Sequence, residues 1–415
     1  MKRAAFLIAV AFAVSGCTYG NWGHIGTGGG GPRAPVQRDV EIDSPRLSPD
    51  GTTILFAFRY KNFPWKIAMI PSDPAATRLT VLKFPPMDHW LQPNMGPDGK
   101  TLAVLSYCTH EQCYEGAKGY HVWLATPQPN GALKRVSPDV PNVRRERPMF
   151  GATTDDLYWI VSDATKYPGV HLDVANRFVA RMADGKETVL FPQTGPGGDI
   201  TKAHLDDVDL NIISAHGAGR FDERGYYFAG MVAGGKSEAA TAAIDKIEKF
   251  HTALFRYAGG RFELVEPVEI EYVDAPRGDR GYVAMAHHFT KEHTNAVADF
   301  RAVQNGRTLW SFRFHSQAYD LSASDDLGMV VFNGERSYID EKHIWHPKLQ
   351  KAIFLWRQGM SEAVDLNVPE RLKAQVEKEI EAEHAAKTSA LPPFDKPARM
   401  VDTSAAANPH FAGLE

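Results

Sequence analysis

The sequence predicts an all-β protein built by repetition. A turn-plus-strand phrase occurs twice: Ser48-Pro49-Asp50-Gly51 leads into Thr52 to Phe58, and Gly96-Pro97-Asp98-Gly99 leads into Lys100 to Leu105. Proline presets φ for the turn, aspartate bonds its own backbone, and glycine accepts positive φ. The apolar run behind each turn is short and β-prone, as an inner strand should be. From Asp50 to Asp98 the step is 48 residues, a period that signifies a solenoid or a propeller.

Four weaker units continue the pattern. They pair Asp155-Asp156 with Leu157 to Val161, Asp222 to Gly225 with Tyr226 to Ala229, Asp279 to Gly281 with Tyr282 to Met285, and Asp325 to Gly328 with Met329 to Phe332. Second strands follow both the strong and the weaker units, such as Trp65 to Ile70, His121 to Ala125, Arg177 to Arg181 and Ala352 to Trp356. The two strong phrases resemble the repeat of the TolB-like β-propeller family, whose blades carry an S-P-D-G turn before a hydrophobic strand. That resemblance implies a six-bladed β-propeller of four-stranded blades over residues 40–366, with loops and a central funnel that bind a protein partner or a small ligand. No separate N-terminal α/β domain of the TolB kind precedes the repeats, so the family's specific partner is not carried over.

Composition is that of an ordinary globular chain. Of 415 residues, 43% are hydrophobic and 23% charged, and 46 basic residues against 50 acidic ones give a net charge of −4. Neither a basic stripe nor an arginine-rich arm stands out, so nucleic acid is not an expected partner.

The chain opens with Met1-Lys2-Arg3 and an apolar run from Ala4 to Val14, the layout of a signal peptide. Such a run is too short to span a bilayer, which takes about 20 apolar residues. Val14-Ser15-Gly16-Cys17 resembles a bacterial lipobox, which implies cleavage before Cys17 and lipidation of its thiol. Thr18 rather than aspartate next to it implies, by the same resemblance, sorting to the outer membrane facing the periplasm. Residues 18–39 are rich in glycine and proline, the composition of a flexible tether.

Two segments interrupt the β pattern. Ala239 to Ile247 is a helix-former stretch between two strands of the fourth unit, read as a helical loop insertion. In the tail, 367–415, Pro369 suits a helix start, and Leu372, Val376 and Ile380 share one face. This short C-terminal α-helix is expected to dock on the ring, a partner-binding arm being the other reading. Beyond Ser389 the composition suggests poor order.

Candidates for chemistry are sparse. Cys108 and Cys113 are the cysteines left after Cys17, and in an exported protein they suggest a disulfide closing Thr109 to Gln112. His110 and Glu111 in that loop leave a metal site as the second reading. His287, His288 and His293 form one histidine group, and His343 and His346 with Asp340 and Glu341 another, read as a loop of the sixth unit. On a strand His287 and His288 point to opposite faces. Asp206, Asp207 and Asp209 could collect a hard cation, yet acidic residues at a strand entry are common. Solvated side chains are the expectation for all three groups.

The sequence contains no G-x-S-x-G elbow with a following hydrolase domain, and His110-Glu111 is followed by Gln112-Cys113-Tyr114 rather than completing H-E-x-x-H. Walker A and Rossmann glycine phrases are missing as well. No catalytic residue, metal or cofactor is therefore named. The expected role is a lipid-anchored envelope module that binds a protein partner. Solute or metal binding, or a hydrolase or lyase site built from funnel loops, are the alternatives.

Overall fold

The computed structural model describes residues 39–374, 379 and 381, apart from 86–87, 128–131, 141–142, 152, 164–177, 192–200, 206–207, 223–224, 234–251, 259–260, 267–269, 276–280, 290–295 and 340–344. The leader with Cys17, the tether, the helical insertion at Ala239 to Ile247 and the chain beyond 381 lie outside the described residues.

Six antiparallel sheets follow one another along the chain as blades. Blade one holds Val40–Leu47, Thr53–Tyr60, Lys66–Pro71 and Thr80–Val81, and blade two holds His89–Met95, Leu102–Cys108, Gly119–Ala125 and Leu133–Arg135. Blade three holds Val143–Phe150, Leu157–Asp163, Phe178–Ala183 and Lys186–Phe191. Blade five holds Tyr272–Asp274, Gly281–Phe289, Ala296–Gln304 and Arg307–Phe314, and blade six holds Ala318–Ala323, Met329–Ile339, Trp345–Arg357 and Val364–Asp365. In each of these the chain steps from the first strand outward. Blade four apart, first strands of successive blades are neighbours, and that of blade six returns to that of blade one, closing a six-bladed β-propeller.

Blade four departs from the four-stranded plan. It contains Thr201–Leu205, Val208–Asp222, Gly225–Ala233, Thr252–Ala258 and Arg261–Glu266, and its first strand also pairs in parallel with its last through Ala203–Phe262 and His204–Glu263. The 15-residue second strand has three register shifts against its partner. Each such bulge bends a strand and increases its twist, and this curls the sheet until its ends meet. Here the second strand, rather than the first, borders blades three and five.

The second strands of the blades are buried along most of their length because neighbouring blades cover both faces. In Thr53–Tyr60 the run Ile54 to Phe58 is fully buried, and in Leu102–Cys108 so are Leu102 to Val104. That is why these strands read as continuous apolar runs rather than alternating ones. Trp90, Trp123 and Trp159 fill the interfaces of blades one to three, with the Trp90 and Trp123 rings edge to face at 6.0 Å. Aromatic rings of blades five and six fill theirs, Phe312 stacking on Trp356 at 4.6 Å.

The turns of the repeat phrase connect first strand to second. Gly51 and Gly99 adopt φ of +69° and +63°. Asp50 accepts bonds from Ser48 Oγ (2.5 Å) and Thr52 N (3.1 Å), and Asp98 from Lys100 N and Thr101 N (both 2.9 Å). Blade six repeats the turn with Asp326, which accepts from Ser324 Oγ at 2.6 Å and Gly328 N at 2.9 Å. Leu327 takes the glycine's place there at φ 59°, its side chain wholly buried. Core packing offsets the strain of a left-handed leucine.

Among the described residues each sheet is built from one contiguous stretch of chain, and no strand is shared between blades one and six. The seam between blades one and six is joined by Leu47 N–H donating to Ser322 Oγ (3.1 Å) and Arg357 Nη2 to Ser72 O (3.0 Å). Across the same seam lies the C-terminal helix, which starts at Val368 after Asn367. Leu366, Val368 and Leu372 join the core of blade one, Lys373 meets Asp39 at 3.1 Å, and Arg371 Nη2 donates to Pro74 O at 3.0 Å. Its docking is therefore intramolecular for Leu372, while Val376 and Ile380 lie outside the described residues. Among the described residues no helix is long and apolar enough to cross a membrane.

Candidate functional site at the ring axis

The first strands of blades one, two, three and six carry a bulge at the same place, and at each bulge one non-glycine residue has positive φ. These are Ser44 (52°), Gln92 (48°), Arg147 (53°) and Asp320 (46°), and the ladder loses register beside each. In three of the four the next residue is proline: Pro45, Pro93 and Pro148. Proline brings no N–H, so a strand accepts it where ladder bonding is already interrupted.

At or near three of the four bulges, those of blades one, three and six, a backbone N–H is taken by a side chain of the neighbouring blade. Gln92 Oε1 accepts from Arg147 N at 2.6 Å, Asp274 Oδ2 from Ala323 N at 2.8 Å, and Ser322 Oγ from Leu47 N. Each of these contacts satisfies a buried donor that would otherwise be costly, and each fastens two blades together.

Arg147 then crosses the ring. Its Nη2 lies 3.0 Å from Asp320 Oδ1, joining blade three to blade six, with both side chains only about one-seventh exposed (14% and 13%). The guanidinium also sits over the Tyr272 ring of blade five at 5.2 Å, a favourable electrostatic arrangement. Through Gln92, Arg147, Tyr272 and Asp320, four blades meet in one polar chain at the axis. Chemically this element offers one cation and one anion side by side, partly screened from water.

A second buried ion pair braces blade three. Arg145 is fully buried and bidentate to Glu187 (2.9 and 2.8 Å), which also accepts Trp159 Nε1 at 2.5 Å, while Arg145 Nη1 donates to Tyr120 O of blade two at 3.2 Å.

The residues singled out in the sequence lie away from this axis. Asp50, Asp98 and Asp326 serve the turns. The Ser48 hydroxyl and Thr52 N–H hold Asp50 below the usual carboxylate range, and the Ser324 hydroxyl and Gly328 N–H do the same for Asp326. For Asp98 burial opposes the shift, but bonds from Thr101 and Lys100 prevail. Cys108 and Cys113 are joined as a disulfide at the end of a blade-two strand, with Cα atoms 5.8 Å apart. With His110 they form a group of ligand-type atoms within 4.8 Å of one another.

His287 is buried between blades five and six. Its Nδ1 lies 2.6 Å from Glu271 Oε2, and its Nε2 accepts from Ala318 N at 3.2 Å. A backbone N–H only donates, so the ring proton is on Nδ1, and this histidine is a structural link rather than a solvated group. His346 is not in a loop: the blade-six hairpin extends far enough to place it on Trp345–Arg357 opposite Tyr338. Asp209 likewise lies within Val208–Asp222, paired with His204. His293, His343, Asp206, Asp207, Asp340 and Glu341 lie outside the described residues, as does the side chain of His288.

Sequence reading missed Gln92, Arg147 and Asp320. A signal was available: Ser44-Pro45, Gln92-Pro93 and Arg147-Pro148 each stand a few residues before a turn, extending the repeat phrase backwards.

No protein-family model matches the chain, and no curated protein matches it in sequence. Among solved structures it is similar to TolB from Acinetobacter baumannii, with 12% identity, TM-score 0.43, and coverage of 78% of this chain and 62% of that one. It is similar to a prolyl endopeptidase at 10% identity and TM-score 0.43, covering 79% of this chain and 42% of that one. An oligogalacturonate lyase in complex with manganese matches at 11% identity and TM-score 0.40, covering 79% and 78%. The chain thus spans less than two thirds of the endopeptidase and of that TolB. The fold assignment rests on the six sheets and their order.

Proposed function

We propose that the protein is an envelope-anchored β-propeller that presents its loops to a protein partner. The observation that carries this reading is the bracing of the ring through its own axis by Gln92, Arg147 and Asp320. A ring fixed in this way ties blades two, three and six together, and a rigid base of this kind is what a recognition surface built from loops requires. In the proposal Cys17 is lipidated and residues 18–39 tether the ring to the outer membrane on its periplasmic side, which raises its local concentration near envelope partners. Large apolar side chains exposed among the described residues are Val140, Leu309 and Val364, one each near blades two, five and six.

The test is brief crosslinking in cells followed by purification of the lipidated protein, then reconstitution with the purified candidate. A stoichiometric envelope protein that rebinds in vitro supports the reading. Failure to find any partner that rebinds would overturn it.

The convergence of Arg147, Asp320 and Tyr272 favours a second reading, a small zwitterionic ligand at the axis. A ligand bound to the native state alone raises the melting temperature. Screening amino acids and short peptides by thermal shift, with Asp320→Asn as the control, separates the two.

A further inference from the structure

We propose that Cys108–Cys113 is a redox-active disulfide that exchanges with dithiols, with Cys113 the sulfur attacked and Cys108 the sulfur released as thiolate. The two sulfurs occupy chemically opposite surroundings, and His110 creates both of them. Its Nδ1 accepts the Gln112 backbone N–H at 3.1 Å, which leaves the ring proton on Nε2. That Nε2 lies 3.4 Å from Cys108 Sγ, so its N–H is directed at this sulfur. By contrast, Cys113 Sγ lies 3.0 Å from the His110 carbonyl oxygen. A donor beside Cys108 stabilises negative charge there, while a carbonyl beside Cys113 repels charge and accepts from a neutral S–H.

Access runs the same way. Cys113 is 7% exposed and Cys108 2%, and between them Thr109, Glu111 and Gln112 are exposed. A thiolate of the incoming dithiol bonds to Cys113 Sγ, the Sγ–Sγ bond breaks, and its electron pair stays on Cys108. The second thiol of the dithiol, deprotonated, then attacks its partner sulfur in the mixed disulfide and expels Cys113, which takes a proton. The dithiol leaves as a cyclic disulfide after giving up two electrons and two protons. One proton ends on Cys113 and the other in solvent.

The surrounding backbone holds both sulfurs in place after reduction. Cys108 ends a strand opposite Gly119, and the Cys113 turn is held by Gly116 N to Cys113 O (2.9 Å) and by Tyr114 N to the buried Asp88 carboxylate (3.3 Å). The bond can therefore reform without a search. Glu111, beside the site, is paired with Lys118 at 2.7 Å.

The test equilibrates the folded protein in dithiothreitol buffers of stepped ratio and reads the reduced fraction by differential alkylation and mass spectrometry. We expect His110→Ala to make reduction about tenfold harder, about 30 mV for a two-electron couple, and His110→Gln, which keeps an N–H donor, to recover part of that change. In the fully reduced wild type, iodoacetamide should modify Cys108 before Cys113 despite its deeper burial. A midpoint unmoved by His110→Ala would overturn the proposal. So would faster alkylation of Cys113, a result read on the wild type and independent of how the variants fold.

Discussion

Arg147 and Asp320 sit 173 positions apart in the chain, each at a positive-φ bulge of a first strand, and their side chains meet at 3.0 Å across the ring. Because the pair is largely shielded, removing either partner strands the other charge. Arg147→Ala and Asp320→Ala are each expected to lower stability by about 3 kcal/mol, the low end for a broken buried pair. In a double-mutant cycle the combined loss should fall short of the sum by about 0.5 kcal/mol or more. Strict additivity in urea unfolding would mean that the two blades are not energetically linked here.

Glu187 holds the buried Arg145 with two bonds and Trp159 with a third. Glu187→Ala leaves a guanidinium without its counter-charge in the core, and a loss of about 3–5 kcal/mol is expected. Arg145→Met with Glu187→Leu should recover much of it, since apolar replacement of a buried pair is often neutral. Equal instability of single and double variants would point to packing rather than charge.

The last helix packs across the seam between blades one and six. Ending the chain after Asp365 removes Leu366, Val368 and Leu372 from the blade-one core and the Lys373–Asp39 contact. Hydrogen exchange should then rise first in Val40–Leu47 and Ala318–Ala323, the strands at the seam. Uniform loss of protection around the ring would instead show that the ring unfolds as one unit.

Stability should fall as pH drops from 7 to 5. Burial holds His121 below its ordinary value, with its Nε2 facing Lys118 O and its Nδ1 facing Ser137 Oγ, and burial also lowers His89, aided by Arg59 and His110. A depressed histidine means that the unfolded chain binds protons first, below about pH 6.5, so folding free energy is lost from there downward. Asp50, Asp98 and Asp326 are also depressed, so their contribution is complete above about pH 4 and lost only as pH falls through their folded values. Urea melts at pH 7.5, 6 and 5 should show a shallower decline for His121→Gln than for wild type. An unchanged slope would exclude His121 as a source.

Cys17→Ser tests the proposed anchor. The variant is expected to remain unprocessed or to leave the membrane fraction on lysis, as judged by labelled-lipid incorporation and fractionation. Retention equal to that of wild type would reject lipidation at Cys17.

Much of the fold was legible because propeller strands follow one another locally. Pro49-Asp50-Gly51 and Pro97-Asp98-Gly99 mark turns whose chemistry is complete within a few residues, and the buried runs behind them announce second strands. First strands were harder to read. Tyr272–Asp274 has three residues, and a bulge breaks the alternation in Val40–Leu47. The sixth turn, read at Asp325 to Gly328, matches the phrase only weakly because Leu327 stands where glycine is expected, and its fitness comes from the core it fills.

The sequence by itself determined the repeat, the turn aspartates and the proximity of Cys108 to Cys113, since each depends on neighbours within a few positions. Only the tertiary structure decided that Arg147 faces Asp320, that Ser322 bonds Leu47 N–H, that His287 links two blades, and that His110 distinguishes two sulfurs. Ring closure brings the first two together across the chain, and the packing of successive blades places His287 against Ala318. The fourth depends on which ring nitrogen carries the proton, and that is set by the backbone turn at Gln112.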